Sequence, residues 1–299
     1  MSDQAILLDT KRTDDGIVTV YLAPNPAKPR GGVVVLDQWL ISSLDVTLEH
    51  IANGESPAGI ILASSSSRVF VAGADLAEIE SLNDEQATEY LKAGLAAFHR
   101  LITCNCPTVA AINGATLGGG LELALHCDAL VATVVPSDAK PWRIGLPEAG
   151  LGLCPGWGGT QTLVSRIDPG TAISAAATGN TFKSTEVPDG LIDSWVPSGE
   201  LHAAAAAWIK GHPDAAADRM HTSTPRSINS HNSSEVQTAL DSVRADVPSS
   251  ESADAVFLAT EAGITSGWGA GVSLEQEKLI ELRHTPTARE RLEAFFARA

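Results

Sequence analysis

Long apolar runs are missing from this 299-residue chain. No stretch approaches the roughly 20 residues that a membrane-spanning helix needs. The first residues, Met1-Ser-Asp-Gln-Ala-Ile6, lack the charged-then-apolar order of a secretion signal. Positive charge is scarce too. Twenty Lys and Arg stand against 36 Asp and Glu, a net charge of −16, which argues against a nucleic-acid or anionic-membrane surface. Cysteine is sparse, and Cys104, Cys106, Cys127 and Cys154 all lie in apolar surroundings. Cys104-Asn-Cys106 has neither zinc spacing nor a second ligand pair nearby, so no metal site is expected. Buried thiols in a reducing compartment fit a cytoplasmic protein. No Gly-rich βαβ unit follows the central region, so dehydrogenase chemistry on a dinucleotide is not expected.

A hydrophobic share of 44% is enough for a sizeable core, as one domain or one domain with an appendage. Ile17-Val-Thr-Val-Tyr-Leu22 and Gly59-Ile-Ile-Leu62 read as strands. Residues 35–51 read as an amphipathic helix with Leu36, Leu40, Leu44 and Leu48 near four-residue spacing. Residues 90–102 suggest another helix, before a β-branched strand Thr108-Val-Ala-Ala-Ile112. Strand–helix alternation to about residue 200 predicts an α/β layered fold. We therefore divide the chain into a core, 1–200, and a C-terminal region, 201–299. In the latter, 202–208 look helical, whereas 222–234 and 247–254 are polar and read as long loops or a partly disordered insertion.

The chemistry concentrates after the strand at 108–112. Asn113-Gly-Ala-Thr-Leu-Gly-Gly-Gly-Leu-Glu122 places three glycines at the entry of an apolar helix. Glycines there let a ligand approach bare N–H groups at the positive end of a helix, a setting for an oxygen that gains negative charge. Glu122 lies in the first turn of that helix, and a buried carboxylate is costly unless paired or used. An earlier turn, Ala72-Gly-Ala-Asp-Leu76, precedes a helix that Asp75 and Glu78 are spaced to cap. A later stretch, Leu146-Pro-Glu148-Ala-Gly-Leu-Gly152, sets a second isolated carboxylate among apolar and glycine residues, just before Pro155-Gly-Trp-Gly-Gly-Thr-Gln161.

These motifs, in this order, resemble the crotonase (enoyl-CoA hydratase/isomerase) superfamily, most closely its 2-enoyl-CoA hydratases. The likeness is dense from 58 to 197 and looser elsewhere, with Ser273-Leu-Glu-Gln-Glu277 and Leu292-Glu-Ala-Phe-Phe296 similar to the family's last helices. It implies ββα units wound into a superhelix, followed by C-terminal helices that assemble a homotrimer or a dimer of trimers. It also implies hydration of 2-trans-enoyl-CoA to 3-hydroxyacyl-CoA in fatty-acid or related degradation, with no cofactor beyond the CoA of the substrate. In the hydratases it resembles, the residue matching Glu122 orients and deprotonates water, and the one matching Glu148 delivers a proton to C2. The backbone N–H groups of Ala74 and Gly119 match the oxyanion donors. Ala72, Gly73, Asp75, Leu76, Gly118 and Trp157 match positions around the substrate, although Asp75 also reads as a helix cap and Trp157 and Trp142 as core residues. His126, one turn beyond Glu122, reads as a core histidine, and Asp128 as an organiser of a strand junction.

Two features depart from the family pattern. Glu122 and Glu148 stand 26 positions apart, more than is usual, and the surplus at 134–143 reads as a loop. The position after Ala74-Asp-Leu76, a lysine for CoA in some hydratases, is Ala77; Lys92, Lys140, Arg143, Lys278 and Arg283 are left as candidates for the phosphates. Other readings are a Δ3,Δ2-enoyl-CoA isomerase, another acyl-CoA lyase or hydrolase of this superfamily, or a non-catalytic acyl-CoA-binding protein. Paired carboxylates favour the hydratase, since like charges at close range push their pKa values apart and split acid from base.

Overall fold

From β3 to β8 the strands alternate between two sheets, because the chain turns sharply after each first-sheet strand there and gives its next strand to the second. The structure, a computed structural model, describes residues 5–217 and 227–297. Its strands are β1 Thr10–Arg12, β2 Ile17–Leu22, β3 Gly59–Ser64, β4 Val69–Val71, β5 Thr108–Ile112, β6 Ala115–Leu117, β7 Ala129–Thr133, β8 Arg143–Gly145, β9 Thr181–Lys183 and β10 Ser194–Val196. The first sheet runs β1-β2-β3-β5-β7-β10 and is parallel from β2 onward. The second runs β4-β6-β8-β9, with β4, β6 and β8 parallel.

Helices follow each pair of strands: α1 Gln38–Asn53, α2 Leu76–Ser81, α3 Asp84–Thr103, α4 Gly119–Leu125, α5 Gly159–Thr162, α6 Pro169–Thr178, α7 Leu201–Gly211, α8 Ser233–Asp246, α9 Glu251–Ser266, α10 Trp268–Leu282 and α11 Pro286–Phe296. Thus β3-β4-α2-α3 and β5-β6-α4 are successive ββα units, and β7-β8 leads into a 3₁₀ turn over Glu148–Leu151. The expected α/β superhelix of ββα units with C-terminal helices is what the chain forms. No described helix is long and apolar enough to cross a membrane.

Both faces of the first sheet are covered, so β5 and β7 are buried at every position, as parallel strands between layers require. Ile60, Leu62, Ala110, Ile112, Leu130 and Ala132 point into the main core. Their neighbours Ile61, Ala63, Val109, Ala111 and Val131 pack against Leu201, Ala205 and Ile209 of α7. That helix sits so close that a Cβ on Gly59 would lie 2.5 Å from Ile209. Asp128 joins β5 to β7: its Oδ2 accepts from both the N–H (2.7 Å) and the hydroxyl (3.0 Å) of Thr108. Asp128→Ala leaves that buried N–H without an acceptor, so we expect it to destabilise the fold by about 1–3 kcal/mol, read as a lower urea midpoint.

Three sequence expectations need correction. The helix expected at 35–51 begins at Gln38, because the Asp37 carboxylate caps the Leu40 N–H (2.8 Å) and Leu36 pairs with Ala74 as an isolated bridge. Leu36 keeps the leucine spacing yet belongs to the sheet side of the turn. The helix at 90–102 begins at Asp84, since Asn83 and Gln86 form a reciprocal capping box. The polar stretches are shorter than expected, since helices begin at Ser233 and Glu251 and only 227–232 and 247–250 of them are non-helical among the described residues. Val236, Leu240 and Val243 give α8 one buried face, and the extended break before α9 is confined to 247–250. Of the polar segment expected at 222–234, residues 222–226 lie outside the described residues.

Candidate active site

Parallel pairing of β4, β6 and β8 decides which residues meet. Each strand leaves the second sheet at the same edge, so the segments that follow them, around Ala74, Gly118 and Glu148, emerge side by side. Hydrogen bonds lock these exits: Gly118 N–H donates to Gly145 C=O (2.9 Å) and Leu36 N–H to Gly73 C=O (2.8 Å). Gly118 has φ +52, and a Cβ there would lie 2.6 Å from Glu148 Oε1. Only glycine fits both demands.

The Gly119 N–H is the first of α4 and has no intrahelical acceptor. Among the described residues no backbone acceptor takes it or the Ala74 N–H. Both residues line one cavity of about 70 Å³. Ala72, Gly73, Leu76, Gly118, Glu122, Glu148 and Trp157 line it too, as expected from the sequence. Ile79, Leu91, Leu151, Leu153, Cys154 and Leu279 make the rest of the wall largely apolar. Trp157 is held by its indole N–H on Leu91 C=O (2.9 Å) and by ring contacts with Tyr90 and Phe98. Asp75 does not line the cavity. Its carboxylate accepts from Glu78 N–H (3.2 Å) and pairs with Arg30, which is the helix-cap role expected of it.

Two carboxyl groups face this cavity in unequal surroundings. Glu122 is buried, and its Oε1 accepts from Trp157 N–H (2.7 Å) and Gly159 N–H (2.8 Å). Burial raises its pKa to about 7, opposed by those backbone bonds. Glu148 is partly buried as a residue, but its Oε2 is sheltered and has no partner among the described residues. Desolvation, then repulsion from Glu122, pushes it well above the carboxylate range. Neither is paired with Arg143, which donates instead to Thr181. The surface-carboxylate reading of both glutamates therefore fails. Near neutral pH Glu122 therefore titrates while Glu148 keeps its proton, so one apolar pocket can offer both an acceptor and a donor.

A third glutamate lies behind them. Glu275, on α10, is fully buried, and its oxygens accept from Gly158 N–H (2.6 Å), Thr160 N–H (2.8 Å) and the Thr160 hydroxyl. Burial and repulsion from Glu122 raise its pKa to about 8. Sequence reading missed it, because nothing local separates Glu275 from its neighbour Glu277. The only signal was its place on a helix with Val272, Leu279 and Leu282, whose buried face it shares.

Other candidates resolve plainly. His126 is a core residue: its Nδ1 lies 2.7 Å from Glu122 C=O, not the carboxylate, and burial lowers its pKa to about 4. Trp142 meets the Trp195 ring at a tilt (centroids 5.9 Å apart) and is absent from the cavity wall. Arg283 donates to Ile79 C=O and Leu82 C=O, and Lys278 pairs with Glu281, while Lys92 and Lys140 are exposed. Among the described residues one acidic cluster has metal-like spacing: Asp37, Asp75 and Glu78. Each member already caps a helix end or pairs with Asn25, Arg30 or Lys28.

A family model described as enoyl-CoA hydratase/isomerase matches residues 33–251. The short-chain-enoyl-CoA hydratase of Clostridium acetobutylicum is 35% identical over 167 residues, 56% of this chain and 62% of that protein. The fatty acid oxidation complex subunit alpha of Shewanella frigidimarina is 35% identical over 207 residues, 69% of this chain but 28% of that subunit. The chain thus spans less than two thirds of either relative. An enoyl-CoA hydratase structure from Bacillus halodurans aligns over 97% of this chain and all of its own, with TM-score 0.68 and 21% identity, a likeness of fold.

Proposed function

The chain belongs to the enoyl-CoA hydratase/isomerase family, and from that premise we propose that it hydrates 2-trans-enoyl-CoA to 3-hydroxyacyl-CoA. One observation carries the reading: two carboxyls in unequal surroundings share a cavity with two N–H groups that lack backbone acceptors among the described residues. The thioester oxygen accepts from Ala74 N–H and Gly119 N–H, and these donors hold the charge it gains as the enolate forms. Ionised Glu122 takes a proton from water as the water oxygen bonds to C3. Neutral Glu148 gives its proton to C2. The two carboxyls end with their protonation states exchanged, and one proton transfer between them or through solvent restores the start.

A Δ3,Δ2 isomerase needs one carboxylate to carry a proton between C4 and C2 and leaves the second without a task. The test follows loss of the conjugated enoyl-thioester absorbance with 2-trans-enoyl-CoA. Binding without loss of absorbance removes the hydratase reading, and a rise with 3-enoyl-CoA alone establishes the isomerase. A cavity near 70 Å³ is far below the ~300–1,000 Å³ of ordinary ligand pockets, which favours short acyl tails, in keeping with the short-chain relative. We place the reaction in fatty-acid or related acyl-CoA degradation and expect a homotrimer or dimer of trimers by light scattering.

The pH profile follows from the two pKa shifts. Glu122 must be ionised, so kcat/KM falls on the acid side with a midpoint near pH 7. Glu148 must keep its proton, so the alkaline fall begins well above the pH at which ordinary carboxyls ionise. Initial rates across the pH range, corrected for folded protein, check both limbs. A profile flat through pH 7 contradicts the assignment of Glu122 as base.

A further inference from the structure

Glu275 does not line the cavity, yet its hydrogen bonds interleave with those of Glu122. Four successive amides alternate between the two carboxylates: Trp157 and Gly159 donate to Glu122, Gly158 and Thr160 to Glu275. Peptide units are planar, so fixing the amides of Gly158 and Thr160 also fixes how their neighbours are turned. We propose that Glu275 is a positioning residue: it clamps the 158–160 turn so that Trp157 and Gly159 N–H groups hold the Glu122 carboxylate against the cavity. This inference rests on the hydratase reading, in which Glu122 is the base.

The clamp is an expensive choice for packing alone. A buried charge costs several kcal/mol unless it is bonded, and an apolar side chain at this point of α10 would fill the same space. All three partners of Glu275 donate, so the bonding geometry suits its anion. The Thr160 hydroxyl is free to donate because its oxygen already accepts from Gln161 Nε2 (2.7 Å). Two buried carboxyls therefore share one turn, and the charge of Glu122 raises the pKa of Glu275. The titratable groups around them are Glu148 after β8, Cys154, whose thiol donates to Glu275 C=O, His126 after α4, and Tyr90 on α3. On α10 itself Glu277 is next, and Lys278 faces outward to Glu281.

The test compares Glu275→Gln with wild type in kcat, KM and pH profile, beside Glu122→Gln. In Glu275→Gln an amide nitrogen faces a backbone donor, so one of the two clamped amides loses its acceptor. We expect kcat to fall at least about tenfold with KM within about twofold, as for a misplaced catalytic group. With the turn unclamped, the Trp157 and Gly159 N–H groups stabilise the Glu122 anion less, so the acid-side midpoint moves to higher pH. A midpoint that stays put, with any loss of kcat matched by loss of folded protein in circular dichroism, overturns the proposal. Should Glu275→Gln not fold, Thr160→Val and Thr160→Ser decide it: Val lowers kcat by a smaller factor and Ser restores it, whereas wild-type kcat in Thr160→Val overturns the proposal. A wild type that hydrates nothing defeats the hydratase reading, which is a different result.

Discussion

Glu122→Gln and Glu148→Gln each lower kcat for hydration by about 10²–10⁴-fold, the range that general acid–base catalysis contributes. Each amide keeps the shape of the side chain it replaces, and in Glu122→Gln the new side chain retains an oxygen for the Trp157 and Gly159 N–H groups. The substitutions therefore remove proton transfer while leaving the cavity wall in place, and CoA-thioester affinity stays within a few-fold. Loss of affinity equal to the loss of kcat would mean that the carboxyls bind rather than react.

The same variants become more stable at alkaline pH. Glu122 has a folded pKa of about 7 against an ordinary value of 4.5. Below 4.5 both states of the protein hold this proton, and no stability is lost. Between the two values the unfolded chain releases it while the folded one retains it, so stability falls as pH rises. The loss is complete above pH 7 and amounts to about 3 kcal/mol at 1.36 kcal/mol per pKa unit. An amide carries no such penalty. Glu122→Gln should therefore raise Tm at pH 8 and leave it nearly unchanged at pH 4.5, and Glu148 shifts in the same direction. Catalytic carboxyls that oppose folding are the expected cost of a dry acid–base pair. Equal Tm for wild type and both variants at pH 8 would contradict the burial of these groups.

Gly119→Ala carries the second large effect. A Cβ at Gly119 would lie 2.3 Å from Trp157 Cζ3 and 3.1 Å from Leu36, so the helix entry or the indole must move. Trp157 cannot yield easily, since its indole N–H is bonded to Leu91 C=O and its backbone N–H holds Glu122. Displacing the Gly119 N–H removes one oxyanion donor, and kcat falls by about 10²–10³-fold. Overpacking adds about 1–3 kcal/mol of destabilisation. The informative quantity is kcat per folded molecule, with folding read by urea titration. Wild-type turnover in a folded Gly119→Ala would remove this N–H from the mechanism.

Local sequence already determined several things about this protein. The backbone demand at Gly118 is local, because a positive φ disfavours side chains whatever the rest of the chain does. The alternation of strands and helices set the α/β class, and the family resemblance carried by three short motifs implied the ββα repeat and pointed to Glu122, Glu148, Ala74 and Gly119. The scarcity of Lys and Arg likewise needed no structure to interpret.

Burial and charge coupling are long-range, and there the tertiary structure alone decided. Asp75 and Glu148 each follow a glycine or proline turn beside a short helix, but one accepts from Glu78 N–H and pairs with Arg30 while the other faces an apolar cavity. Trp157 and Trp142 look alike in sequence, and only Trp157 meets the helix entry. Glu275 meets the 158–160 turn from more than a hundred positions away, by the packing of α10 against it. A carboxylate's pKa follows from the water it loses and the donors it meets. Neither quantity is written in its neighbours along the chain.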